Sequence, residues 1–539
     1  MGDLLAAPAE SAGGLTVHGA QAVDGSTPTS TRQALVDADV PARLAAQDPP
    51  LWDLSAAGRP GHGVELLPRL AELTAELADL DHVVLLGTGG TPLAAEAVAR
   101  TTGHPLTVLD TTDPGRVRAT LDDRLARTVV VLTGAAEATP EVDDHRRAYR
   151  QAFLDSGLSE AEAGRHFVVV TEPGSPLADA AAQWQAMTVP ADPPVCGRSS
   201  ALSAYGLVPC ALAGVPVADL LDQADAFAES LPLPRDNPAL ALGAALAAAA
   251  TTGRDTVALV GDGTGVEGLG DWVEHLLAAA TGKDGQGILP VVVDSPDDPG
   301  LTGPDVLTVG YGGALAAGAL PAGGVRPDVT VNGPLGAHFL AWEYAAAVAA
   351  SVLGVDPFDR PDATGSARHT EAALADPTPL PTPSSTTDAI EVYASPGTPD
   401  DLPDALRHLL TGLGDHDYLA VTAYLDPHAE ADAARLRPLL AALTRRPVTF
   451  GWGPRYLHST GQYHKSGPQA GSFLQITGTV RVDLPVPGKP YTFGERQAAQ
   501  AAGDRRALAG RGRPLLHLHL TERSAGLARL IDAVGSLRA

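Results

Sequence analysis

Short runs of β-branched and leucine residues recur along this chain, each followed by a stretch of helical length, and that rhythm constrains the fold most. "HVVLLGTGG" (82–90) leads into "PLAAEAVARTT", "LTVLD" into "GRVRATLDDRLA", and "TVVVLTG" (128–134) into "PEVDDHRRAYRQAFLDSG", which is followed by "HFVVVTEPG". Strands of four to six apolar residues that do not alternate with polar ones are covered on both faces, and helices between them make the sheet parallel. The expected class is α/β, a doubly wound parallel sheet.

The rhythm restarts twice. "TVALVGDG", "ILPVVVD", "VLTVGY" and "DVTVN" mark a second unit, closed by the helix "AHFLAWEYAAAVAASVLG". After the proline- and hydroxyl-rich "DPTPLPTPSSTTD", the strands "AIEVYA", "YLAVTAYL", "PVTFGWG", "SFLQITG" and "PLLHLHL" mark a third. The expected organisation is a loop-rich segment with small helices at 1–60, α/β domains at 61–235 and 236–375, a linker at 376–388 and a C-terminal α/β domain at 389–539. A chain of 539 residues is long enough for that many cores.

Charge and cysteine usage narrow the function classes. A formal charge of −27 opposes binding to nucleic acid or an anionic membrane. Two cysteines, Cys196 and Cys210, cannot form a disulfide scaffold, and no Cys/His spacing suggests zinc. No apolar run reaches the ~18 residues of a membrane span, and the N-terminus lacks the pattern of a signal peptide. The expectation is a cytoplasmic protein with neither metal nor cofactor.

In a parallel sheet, ligands sit beyond the carboxyl ends of the strands. Gly87, Gly89 and Gly90 fall there, with Thr91 opening a helix whose free N–H groups suit an anion. Asp110 stands where a ribose-binding acid would, yet Pro92 occupies the third glycine position of a dinucleotide turn. A turn with no ligand role is the plain alternative.

"GTGGTPLAAEAV", "LTVLDTTDP", "HFVVVTEPGSPL", "CGRSSALSAYGLVPCALAG", "ATGKDGQGILPV" and "WEYAAAVAASVLGVDPFDRP" occur in that order, and together the series resembles glucose-6-phosphate isomerase, a family of two sugar-isomerase (SIS) domains. "GWGPRYLHSTGQYHKSGPQAG" (451–471) is similar to the extra C-terminal domain of isomerases fused or linked to transaldolase. The resemblance covers roughly residues 60 to 538. It implies two flavodoxin-like domains, assembly as a homodimer, and a sugar or sugar phosphate as ligand.

The same resemblance exposes gaps. The family's base is a glutamate in a "GES-GK" type motif, where this chain has Ala279, although Lys283 survives. No histidine lies between His275 and His338, where the ring-opening histidine belongs, and the family's lysine position is Ala367, with Arg368 next to it. The phosphate loop keeps Thr139 and Glu141, but its serine and lysine have become Ala135 and Ala136, with Glu137 added. Gly197 and Arg198 keep the arginine that the resemblance places near developing negative charge; Ser199 replaces the usual aromatic residue.

The candidates for chemistry are therefore Arg198, Lys283, His458, His464 and Lys465. The candidates for ligand contact are Gly89, Gly90, Thr91, Thr139, Glu141, Gly197 and Ser199. The 451–471 block could supply an acid, a base and an anion clamp, or be a structural loop. His517 and His519 share one strand face and read as sheet residues. Two functions stay open: a diverged aldose–ketose type isomerase with its ligand in the inter-domain cleft, and a catalytically inactive pseudo-isomerase that binds a ligand or a protein.

Overall fold

The computed structural model describes residues 9–25, 30–45, 62–134, 137–191, 199–295, 297–301, 303–313, 326–359, 363–377, 380–387, 389–394 and 397–537. An antiparallel hairpin, β1 (Ala9–Ala12) and β2 (Leu15–His18), opens it. The first unit has five parallel strands: β3 (His82–Leu86), β4 (Thr107–Leu109), β5 (Thr128–Thr133), β6 (Phe167–Thr171) and β7 (Met187–Pro190). Their spatial order is β4-β3-β5-β6-β7. This is the flavodoxin-like arrangement, in which the chain reverses direction across the sheet between its first and third strands. Every residue of β3 and of β6 is buried, as strands covered on both faces require.

The second unit holds β8 (Thr256–Gly261), β9 (Leu289–Val293), β10 (Val306–Gly312) and β11 (Val329–Asn332). The sheet order is β1-β2-β11-β10-β8-β9, so the N-terminal hairpin extends this sheet by pairing β2 antiparallel to β11. The amino-terminal segment, expected as loops and small helices, holds the short helices Ala20–Asp24, Thr31–Asp37 and Val40–Ala45 and, in addition, this hairpin, whose Leu15 and Val17 are buried in the core. Alternation of one buried and one half-buried residue along a four-residue strand is too short to read from sequence alone.

The third unit holds β12 (Ser385–Thr387), β13 (Ile390–Tyr393), β14 (Tyr418–Tyr424), β15 (Val448–Trp452), β16 (Gly471–Gly478) and β17 (Leu515–Leu520). Its order is β12-β13-β17-β16-β14-β15, with β15, β14, β16 and β17 parallel. Three residues of the expected linker thus form an edge strand. All three sheets share one plan, with the second parallel strand outside the first and the third on its other side.

The third unit docks against both others. Val486 and Phe493 complete the apolar cluster under the first sheet, and Tyr418, Tyr463, Phe473 and Leu508 join the cluster under β8 and β9. Buried ion pairs reinforce the second contact: Arg446 Nη2 meets Asp305 Oδ2 at 2.5 Å, and Arg437 Nη1 meets Asp298 Oδ2 at 2.7 Å. Among the described residues no helix is long and apolar enough to cross a membrane.

Candidate functional site

The point where the chain reverses across the first sheet lies between β3 and β5, and the loops leaving their carboxyl ends carry the candidate ligand residues. Gly89 has φ +79° and ψ −143°, a conformation that side chains rarely tolerate, and it caps the helix Gly90–Thr102. Thr91, in the first turn, shares a 2.7 Å hydrogen bond with Ser200, and Ser199 is buried next to it in the chain. Gly197 and Arg198 lie outside the described residues, as do Ala135 and Ala136 of the loop after β5. That loop ends at Thr139, which caps the helix Pro140–Asp155, and its hydroxyl is buried without a hydrogen-bond partner.

Glu141 stands in the first turn of that helix, where the helix dipole favours a carboxylate. Its Oε1 accepts a 2.8 Å hydrogen bond from Gln500 and lies 3.7 Å from His458 Nε2. Burial alone would push this carboxyl up, but His458 more than offsets it and holds Glu141 well below the usual carboxylate range. Glu141 Oε2 and His458 Nε2 are both buried without a hydrogen-bond partner. The His458 side chain as a whole is 31% exposed, so its ring has an open side.

His458 follows β15, at the carboxyl end of the third sheet. The 451–471 block is a wedge among all three units. The backbone oxygen of His458 is 3.6 Å from where a Cβ on Gly89 would stand, and His275 Cε1 of the second unit is 3.5 Å from that same point. Arg455 reaches the first unit, hydrogen-bonding Glu96 and lying 3.0 Å from Asp110 Oδ2. Gln462 donates to the backbone oxygen of Gly282 at 3.3 Å, and Tyr463 packs on Gly282 and Gly287.

The remaining candidates point elsewhere. His464 is fully enclosed, with Nδ1 2.9 Å from the Tyr418 hydroxyl and its ring stacked on that tyrosine. Burial, then Lys465 and Arg513, push its imidazole down to about 3, so it is neutral at physiological pH. Lys465 pairs with Asp504 at 3.0 Å, both buried. Lys283 is buried too and donates to the backbone oxygen of Asp356. His517 and His519 both bond Thr477 within the third sheet. Of the four described candidates for chemistry, only His458 is brought to Glu141 and Gly89.

Several residues here have partners that the sequence did not signal. Asp110, a position that suits a ribose hydroxyl, ion-pairs with Arg455. The next residues also face the third unit: Thr112 donates to Gln500 at 2.7 Å, and Asp113 accepts from Arg523 at 2.6 Å. His275 lies one helical turn before Ala279, so the two share a helix face. That i, i+4 relation was readable, although what the face looks at was not.

Arg455 sits in an excess of acid, with Glu96, Asp110 and Asp271 overcoming its burial to keep it charged. Glu274, half-buried, is pushed up to about 8 by burial first and Asp271 second. Between the unfolded carboxyl value of about 4.3 and this folded one, the native state binds more protons than the unfolded chain. Stability should therefore fall as pH rises through that window. Glu274→Gln should flatten the slope, gaining on the parent as pH rises to 8, which urea midpoints from pH 5 to 9 would measure. Among the described residues, no cluster of three or more His, Cys, Asp or Glu could hold a metal.

Sheet order and reversal point define an α/β protein of two flavodoxin-like, doubly wound units with a C-terminal α/β extension. The fold is similar to that of a glucose-6-phosphate isomerase from Chlamydia trachomatis, with TM-score 0.56 and 17% identity over 69% of this chain and 90% of that one. In sequence, the chain is 36% identical over 225 residues to a probable glucose-6-phosphate isomerase of Haloarcula marismortui, covering 41% of this chain and 51% of that protein. It is also 36% identical over 172 residues to a glucose-6-phosphate isomerase of a Cyanothece species, covering 30% of this chain and 32% of that protein. The matches thus span about half, or less, of these relatives' own length. No family model matches.

Proposed function

We propose that this protein binds a sugar phosphate in the crevice between Gly89, Thr139, Glu141 and His458 and acts on it as a diverged aldose–ketose isomerase. One observation carries the reading: His458 and Glu141, 317 residues apart in sequence, converge at the reversal point, where His458 Nε2 and the second carboxylate oxygen of Glu141, Oε2, are both buried without a hydrogen-bond partner. Buried polar groups are nearly always satisfied, so orphaned atoms gathered at this point support a ligand whose hydroxyl groups would reach them.

Isomerisation moves one proton between C2 and C1 and one between the two oxygens, with no net gain or loss. Ala279 cannot take part. An imidazole can, because its ring nitrogens can take up a proton and give it back. His458 would carry the carbon-bound proton from C2 to C1, and the ionised Glu141 would orient the ring and stabilise its charged form. The 3.7 Å separation can shorten once a substrate closes the crevice, as catalytic hydrogen bonds often do. The relatives' names, glucose-6-phosphate isomerase, support hexose 6-phosphates as first substrates to test.

A thermal-shift series on the full chain with glucose 6-phosphate, fructose 6-phosphate and the unphosphorylated sugars tests binding, because a ligand of the native state raises the apparent Tm. A coupled assay of fructose 6-phosphate conversion tests chemistry. Binding with turnover is the expected result. Binding without turnover would favour the pseudo-isomerase reading, and neither response to any of these sugars would sink the crevice as a sugar site.

A further inference from the structure

We infer that Gln500 is the positioning residue for the Glu141–His458 pair, an inference that rests on the crevice reading above. Gln500 is 1% exposed, on the helix Phe493–Ala509 of the third unit, and its amide is held at both ends. The Thr112 hydroxyl donates to its Oε1 at 2.7 Å, and its Nε2 donates to Glu141 Oε1 at 2.8 Å. Reversing the amide would set its carbonyl against the carboxylate and its N–H₂ against a hydroxyl that now donates. The carboxylate, which can only accept, thereby fixes which end of Gln500 meets Glu141, and the Thr112 hydroxyl holds the other end.

Two consequences follow. A donor on a carboxylate favours the ionised form, so Gln500 adds to the charge that faces His458. It also fixes the direction of Oε1, the oxygen 3.7 Å from His458 Nε2, while Oε2 is buried without a hydrogen-bond partner. The third unit therefore contributes twice to a site on the first: His458 from the loop after β15, and the amide that aims its partner from the helix Phe493–Ala509. Neither residue exists in the first two units, so docking of the third assembles the pair.

The test uses the full chain with Gln500→Glu, which keeps the shape but replaces the donor, and Gln500→Ala, which deletes it. The ligand-free readout is the carboxyl carbon signal of Glu141 followed by NMR against pH, assigned by its loss in Glu141→Gln. Its midpoint should rise in Gln500→Ala and rise further, by about one pH unit or more, in Gln500→Glu, where two carboxyls share one proton. An unmoved midpoint in Gln500→Glu overturns the inference. The second readout is fructose 6-phosphate conversion between pH 5 and 8. Gln500→Glu should lose at least about tenfold at pH 8 and recover as the pH falls, because the shared proton restores a donor. A pH-independent drop in Tm with conversion intact would mark Gln500 as merely structural and overturn the proposal. Failure of the crevice reading looks different: the parent protein then neither binds nor converts the sugars, whatever the Glu141 signal does.

Discussion

His458→Ala and Glu141→Ala should each reduce conversion of a sugar phosphate by about 10²–10⁴-fold, the range that a positioned acid or base contributes. His458→Ala removes the proposed proton carrier. Glu141→Ala leaves the ring without the carboxylate that faces it at 3.7 Å. The two losses should not add, since groups that act as one unit are grossly non-additive. A double variant no slower than either single one is the expected signature, read from kcat and kcat/KM at matched pH. His458→Ala also leaves the buried Glu141 carboxylate without the group that offsets its burial, so the urea midpoint should fall too, and turnover is compared at a temperature where both proteins are folded. Parent-like turnover in His458→Ala would remove the histidine from the mechanism and return attention to His275, which lies against the same glycine turn.

The second large effect concerns stability. Asp504 is buried on the helix Phe493–Ala509, where Lys465 pairs with it at 3.0 Å and the Tyr456 hydroxyl donates to it. Asp504→Ala strands the ammonium of Lys465 in a site that is 4% exposed. Removing one partner of a buried pair costs about 3–5 kcal/mol, because the other charge is left uncompensated. The expected result is a large fall in the urea midpoint, or separate early unfolding of the third unit. Asp504→Ala with Lys465→Met removes both charges and should recover much of the loss, since apolar replacement of a whole buried pair is often nearly neutral. If the double variant is as unstable as the single one, the pair is not what makes this region stable.

These two experiments separate the parts that the 451–471 block plays. Read as a string, "RYLHSTGQYHK" offers one cluster of chemistry-bearing side chains. In the fold they divide by direction. Arg455 goes to the acids of the first and second units, His458 to Glu141, and Gln462 and Tyr463 to the Gly282–Gly287 turn. His464 and Lys465 turn into the third unit's own interior. A short 3-10 turn at Arg455–His458 followed by the six-residue helix Gly461–Ser466 sends neighbouring side chains to different partners, and no spacing rule covers that change of geometry.

What the sequence determined by itself was local. Apolar runs too dense to alternate gave parallel strands, glycines after β3 gave a turn that needs a positive φ, and the three repeats of strand and helix gave three α/β units. Those follow from steric limits and burial within a few residues of chain, so they are written in the chain. The β2 pairing, the edge strand β12 and the meeting of His458 with Glu141 are different in kind. They join segments through strand pairing and docking, and the last joins residues 317 apart. Only the tertiary structure decides them, because a contact between units depends on the shapes of two finished surfaces. Ala279, where the resemblance implies a glutamate, was legible in the sequence; the Glu141–His458 pair became visible only once the third unit was docked.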